Sequence, residues 1–411
     1  MRWLFADQLG DHFLDDDEPI LLIESRSALR RRRYHFAKAH LLLSALRHRA
    51  AELGDRDTFI QADTYAEALD QVKEPIEVVH PTSRAALQFV RSRGIPVLPA
   101  RGFITSFDDF NAWTAENRLR QEEFYRAARR RTGVLMVDGE PEGGRWNFDA
   151  DNREPAPKGR PTLGAPPPWQ PEEDGIDAQV RADLANIPTI GGTGPRRFAA
   201  TVAEAAAAVD HFVRHRLPLF GPHEDAVLAQ DPWMAHSMLS APLNLGLIDP
   251  LPLVRRAAAS SAPLPSREGF VRQVLGWRDF VWHLYWNFGP EYQYSNSLAA
   301  DRSLPPWFAD LDADGTEAAC VSGSLRHVAD HGWAHHIERL MILGSWALQH
   351  GYHPAEVTDW FQASFVDGYE WVMLPNVLGM SQYADGGRLA TKPYTSGGAY
   401  ISKMSDYCGD C

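Results

Sequence analysis

Over its first 130 residues the chain alternates short apolar runs with amphipathic segments of helical period. The runs are Arg2–Ala6, Ile20–Glu24, Thr58–Gln61, Ile76–His80 and Ile95–Leu98. Each has strand length. Between them lie helical patterns near Tyr34–Leu53, Tyr65–Val72 and Ser83–Arg93. Strands separated by helices pair in parallel, because only a crossover returns the chain to the same edge of a sheet. The alternation therefore predicts a doubly wound parallel sheet over 1–130, a site at the carboxyl ends of its strands, and helices on both faces. No G-x-G-x-x-G is present, so the residues carry no plain NAD fingerprint.

The pattern stops at about residue 131. Pro155, Pro157, Pro161, Pro166, Pro167, Pro168 and Pro171 deny regular helix or sheet, which predicts a connector over 131–195. From Phe198 the period becomes helical and strand alternation vanishes. The fold class expected is α/β followed by an all-α domain over 196–411. The chain of 411 residues is long enough for two cores. Its best apolar stretch, Leu340–Leu348, is broken by Gly344 and falls short of the roughly 18 residues of a membrane span. With no signal-like start, a cytoplasmic monomer is expected. The net charge of −13 leaves nucleic-acid binding to local basic patches. Three cysteines do not make a secreted disulfide framework.

Architecture names no function; the motifs point to one. Phe270-Val-Arg-Gln with Gly276-Trp-Arg-Asp-Phe, His236-Ser-Met-Leu-Ser-Ala-Pro-Leu-Asn-Leu-Gly and Trp333-Ala-His-His-Ile-Glu-Arg-Leu resemble segments of the photolyase and cryptochrome superfamily. Trp371-Val-Met-Leu-Pro-Asn-Val-Leu-Gly-Met-Ser, Thr391-Lys-Pro-Tyr, Tyr400-Ile-Ser-Lys-Met-Ser, Ala6-Asp-Gln-Leu and Gly143-Gly-Arg-Trp-Asn-Phe-Asp are similar to its bacterial iron–sulfur branch. The resemblance runs through essentially the whole chain.

It implies FAD in the helical domain, held by His236, Ser237, Leu239, Ser240, Asn244, Gln273, Trp277, Arg278, Arg339, Asp367 and Asn376. A pyrophosphate needs backbone N–H donors and hydroxyls at a helix start, which His236, Ser237 and Ser240 offer; the serines equally suit an ordinary N-cap. Arg339 and Asp367 match an ion pair beside the flavin ring, and Asn376 matches the amide facing flavin N5. Adjacent on one helix, His335 and His336 project about 100° apart. The resemblance makes His336 the catalytic acid, supported by His335, a role that suits the near-neutral pKa of an unperturbed histidine. Tyr394 and Tyr400 would wall a pocket for flipped bases, and Lys392 and Lys403 would touch DNA phosphates. The second histidine of animal-type (6–4) enzymes is replaced here by Leu340.

Trp360 is the expected electron relay, although relatives follow it with Tyr where this chain has Phe361. Cys320, Cys408 and Cys411 match three ligands of a [4Fe–4S] cluster, which takes four thiolates; the fourth is expected beyond Cys411. The first domain would hold a 6,7-dimethyl-8-ribityllumazine antenna near Asp7, Gln8, Glu24 and Tyr34. The activity implied is light-dependent repair of pyrimidine (6–4) photoproducts in UV-damaged DNA; a blue-light receptor of cryptochrome type is the alternative. From spacing alone, His327, His331 and His335 form an i, i+4, i+8 stripe able to bind zinc, which Gly332 interrupts. Arg30–Arg33 and the pair His211/His215 read as solvated surface.

Overall fold

The computed structural model describes residues 1–15 and 17–409. All five expected strands form: β1 (Arg2–Leu4), β2 (Ile20–Ser25), β3 (Asp57–Ala62), β4 (Glu77–Val79) and β5 (Val97–Leu98). They pair in parallel in the order β3-β2-β1-β4-β5. Every residue of β2 is buried, as a strand covered on both faces requires. The strand order reverses between β1 and β4, so a crevice opens at their carboxyl ends.

The expected helices form with local reasons for their ends. Phe36–Leu53 starts where His35 accepts from Ala37 N and stops at Gly54, at φ +55°. Tyr65–Leu69 begins with a reciprocal Thr64/Glu67 capping box, and Arg84–Ser92 is capped by Ser83.

Two further helices, Phe107–Glu116 and Gln121–Thr132, leave the sheet. Phe110 and Phe124 pack with Phe280, Trp282, Tyr285 and Trp371 of the helical half. Gly276 lets the second helix approach: a Cβ there would stand 2.6 Å from Gln121 Nε2.

The stretch 131–195 is less irregular than its prolines suggest. It contains a short ribbon, Met136–Val137 with Glu140–Pro141, and a helix, Gly175–Leu184, capped by Asp174. Proline density ends at Pro171, and with it the bar to helix formation. Val180 and Leu184 then bury one face against Phe36, Ala39 and Leu43.

From Val202 onward the regular elements among the described residues are all helices, joined by loops and a few isolated bridges. Buried hydrogen bonds join this half to the sheet half. Asp279 accepts from Ile104 N at 2.8 Å and Thr105 N at 2.6 Å. Lys38 donates to the carbonyls of Gln362 and Gly368. Tyr285 Oη accepts from Arg84 N and donates to Glu370. Among the described residues no helix is long and apolar enough to cross a membrane.

Candidate functional site

A cavity of about 1220 Å³ opens in the helical half. That exceeds the roughly 300–1,000 Å³ of sites for drug-sized ligands. Three π-helical stretches, Arg272–Arg278, Glu338–Gly344 and Leu374–Ser381, supply much of its wall. A π turn shifts the i→i−4 ladder and re-aims side chains, and such turns concentrate at functional sites.

Ten of the eleven expected cofactor residues line the cavity: His236, Ser237, Ser240, Asn244, Gln273, Trp277, Arg278, Arg339, Asp367 and Asn376. Leu239 does not. It is wholly buried in the main apolar cluster and anchors the loop behind the wall. His336, Tyr394, Tyr400 and Lys403 also line the cavity, whereas Lys392 is exposed outside it.

The ion pair is the best-defined feature. Arg339 grips Asp367 through two parallel bonds, Nη1–Oδ1 at 2.8 Å and Nη2–Oδ2 at 3.1 Å. Burial alone would raise the Asp367 carboxyl, but the Arg339 guanidinium outweighs it and holds the carboxyl below its ordinary value. Asn244 donates to the Asp367 carbonyl at 3.1 Å. The serines do not cap the short helix Ser240–Asn244: Ser237 Oγ accepts from Leu239 N, and Ser240 bonds the Asp367 carboxylate. Asn376 donates one amide hydrogen to Val372 O at 2.8 Å. Arg278 reaches Gly102 O and Leu243 O, which makes it a bracket between the halves as well as a wall residue.

The two histidines part company. His336 faces the cavity with its side chain accessible from that side; desolvation by the packed wall behind it, reinforced by Arg339, pushes it down to about 4. The near-neutral value expected from an unperturbed imidazole does not hold in the ligand-free cavity. His335 is 1% exposed and lies off the cavity wall, stacked on His236 with ring centroids 4.7 Å apart.

Several wall residues escaped the sequence reading. Glu224 lines the cavity, accepts from Gln273 Nε2 at 2.9 Å, and is pushed up to about 7 by burial. Its Glu-Asp dipeptide carries no motif signal. Arg272 was visible within Phe270-Val-Arg-Gln and sits 3.3 Å from Glu268.

Trp360 is buried but absent from the cavity wall; Phe361 lines it instead. Trp360 packs on Phe308, and Phe308 on Trp307.

At the strand-end crevice, Asp7 accepts from Thr82 Oγ1, and Gln8 donates to Val79 O and His80 O. Desolvation raises Asp7 to about 6. Tyr34 lies over Lys38. Glu24 is held by Arg47 through two 2.8 Å bonds and by Gln61, so its carboxylate is already partnered.

Cys320 and Cys408 are half-buried and pack on one apolar cluster; Cys411 lies outside the described residues. Gly332, at φ +61°, ends the helix Ala319–His331 before His335, and so interrupts the histidine stripe as its place in the sequence implies. Among the described residues the metal-type group that does gather is His48, Asp174 and Asp177, and Arg196 already engages Asp177 at 2.8 Å. Arg32 and Arg33 pair with Asp359 and Asp310. His215 is exposed.

A family model described as deoxyribodipyrimidine photo-lyase-related protein matches residues 2–198. A (6-4) photolyase of Agrobacterium fabrum (strain C58 / ATCC 33970) is 38% identical over 408 aligned residues, covering 92% of this chain and 79% of that relative. Two solved structures share the fold. A bacterial class III photolyase from Agrobacterium tumefaciens superposes with a TM-score of 0.61 at 17% identity, over 95% of this chain and 80% of its own. A cryptochrome from Synechocystis sp. PCC6803 gives 0.64 at 13% identity, over 98% and 85%.

Proposed function

The chain belongs to the photolyase-related family within the photolyase and cryptochrome superfamily, and from that premise we propose that it repairs pyrimidine (6–4) photoproducts in DNA under light. The observation that carries this reading is the cavity, with ten expected cofactor residues and His336 on one continuous wall. The family generally binds FAD. Its size, the Arg339–Asp367 pair and the buried, unpartnered His236 Nε2 fit a large ligand with charged and aromatic parts. When bound, FAD supplies the light-absorbing group and the electron of the repair reaction.

The chain's own residues do the rest. Arg339 and Asp367 orient the ligand's polar edge with a fixed charge pair. Tyr394 and Tyr400 wall the space into which damaged bases would turn, and Lys403 stands beside it for a phosphate. His336 is the proton donor. Because burial and Arg339 hold it down, it takes its proton only when negative charge arrives in the cavity.

Two further assignments rest on the family alone. The lumazine antenna would be held at the crevice by Asp7, Gln8, Glu24 and Tyr34, and the cluster by Cys320, Cys408 and Cys411.

The test is direct. Protein reconstituted with FAD and reductant is illuminated with an oligonucleotide carrying one (6–4) lesion, and the products are separated by chromatography. Restored pyrimidines support repair. A flavin that bleaches in light while the lesion stays intact would replace this reading with the photoreceptor one, to which the recessed Trp360 is no obstacle.

A further inference from the structure

Behind the cavity wall lies a polar cluster that the repair reading leaves unused. At its centre is Glu338, with no exposed surface. Its Oε1 accepts from His327 Nδ1 at 2.8 Å and from Ser324 Oγ at 3.1 Å. Its Oε2 has no hydrogen-bond partner and lies 3.6 Å from His335 Nε2. Neither ring nitrogen of His335 has a hydrogen-bond partner either. His335 stacks on His236, which does line the cavity.

The count of protons follows from acceptors. His327 Nε2 stands 3.2 Å from the carbonyl of Ala229, which only accepts, so Nε2 carries a hydrogen. The other nitrogen faces a carboxylate oxygen at 2.8 Å, and one of those two atoms must carry a second. The pair therefore holds one proton more than a neutral imidazole beside an ionised carboxylate. A fully buried carboxylate is stable only with such compensation.

We propose that His327 and Glu338 store this proton behind the wall, and that Glu338 delivers it to His335 when negative charge enters the cavity. The step balances. The N–H bond of His327 Nδ1 breaks as an O–H bond forms on Glu338. The carboxyl then turns about its Cγ–Cδ bond to carry that hydrogen to the side of His335, and the O–H bond breaks as an N–H bond forms on His335 Nε2, the ring's own hydrogen sitting on Nδ1 beforehand. His327 ends neutral, Glu338 ends ionised, and His335 becomes an imidazolium beside His236 and His336. Closing 3.6 Å to the roughly 2.8 Å of a charge-assisted bond needs only a side-chain adjustment. Glu338 is a positioning residue here, since it touches no substrate.

The surrounding groups fit this polarity. Tyr407 and Ser324 face Glu338, and Asp330 faces His327. His236, His336 and Arg339 face His335, and Arg216 faces His236. Burial pulls His327 down, but Glu338 overcomes it and raises the ring. Burial and its cationic neighbours hold His335 well down until an anion arrives. The store is a property of the dark protein; only its use rests on the repair reading.

The experiment uses FAD-reconstituted protein with ¹⁵N-labelled histidine, in the dark, at pH 7. Nuclear magnetic resonance reports the protonation of each ring, and infrared absorption reports a protonated carboxyl. The parent should show either an imidazolium at His327 or a buried carboxylic acid, and Glu338→Gln should abolish both signals. Binding an oligonucleotide with a (6–4) lesion should then add a second N–H to His335 in the parent but not in Glu338→Gln. If Glu338→Gln fails to fold, His327→Gln removes the same titratable proton and should behave alike. In the light, Glu338→Gln should repair at least ~10-fold more slowly at pH 8 than the parent, with its alkaline limb at lower pH. A neutral His327 beside an ionised Glu338, or a His335 that never gains a proton, overturns the proposal. A parent that shows both proton signals yet repairs nothing leaves the store standing and removes the repair reading instead.

Discussion

The strand-end crevice and the helical cavity handle polar side chains in opposite ways. In the crevice, regular strands place donors opposite acceptors: Gln8 meets two carbonyls of the neighbouring strand, and Glu24 meets Arg47. In the cavity, an irregular loop and a π turn leave polar atoms without partners: His236 Nε2 and Arg278 Nε have none among the described residues. Buried polar groups left without partners cost about 1–3 kcal/mol each. A cavity wall that carries several is selected by a ligand that completes it, whereas a crevice whose groups complete one another contributes mainly shape. Asp7, desolvated and raised, is the exception in the crevice.

Breaking the cavity side should produce the largest effects. His336→Ala removes an imidazole of the cavity wall beside Arg339. Repair should fall by roughly 10²–10⁴-fold, the range for lost general acid catalysis, while flavin absorbance per protein stays at the parent level. Repair at the parent rate would remove His336 from the mechanism. Next comes Arg339→Ala, which strands the Asp367 carboxylate in the wall. Side chains here are 17% and 7% exposed, so the loss should approach the ~3–5 kcal/mol of a broken buried pair. Denaturant titration measures it, and flavin content should drop in parallel. Arg339→Lys keeps the charge and loses the two-pronged grip, so its loss should be smaller.

The same contrast explains what could be read before any coordinates. Strands and helices of the sheet half were legible because period and burial agree there: Leu21, Leu22 and Ile23 have one possible place. The helix Gly175–Leu184 was hidden by the prolines that precede it. Most of the cavity wall was legible too, but through motif resemblance and not through period. Leu239 and His335 lie in irregular backbone that carries no hydrophobic period, so nothing told which side of the wall either would take. The store around Glu338 was invisible for a plainer reason. His327 and Glu338 are 11 residues apart on either side of the Gly332 break, and only the tertiary packing makes them partners. His336 shows the limit of reference values: its ordinary pKa suggested an acid ready near neutrality, and desolvation by the wall with Arg339 beside it lowers that value in the ligand-free cavity.

The smallest effect tests the exception. Asp7 is raised from 3.8 to about 6 by desolvation, against the pull of its Thr82 hydrogen bond. The folded protein therefore binds this proton more tightly than the unfolded chain. Its contribution is present below about pH 4 and is lost as pH rises to about 6; above that the loss is constant. Two units correspond to at most about 3 kcal/mol, and partial solvent access will reduce it. Asp7→Asn removes the titration and keeps a group able to bond Thr82. The variant should match the parent near pH 3.5 and exceed its stability at pH 8, as read from denaturation midpoints at both values. If Asp7→Asn is instead less stable at pH 8, the carboxylate has a partner stronger than Thr82. The crevice would then have no unsatisfied group, and the lumazine reading would lose the one residue whose charge a bound ligand has reason to complete.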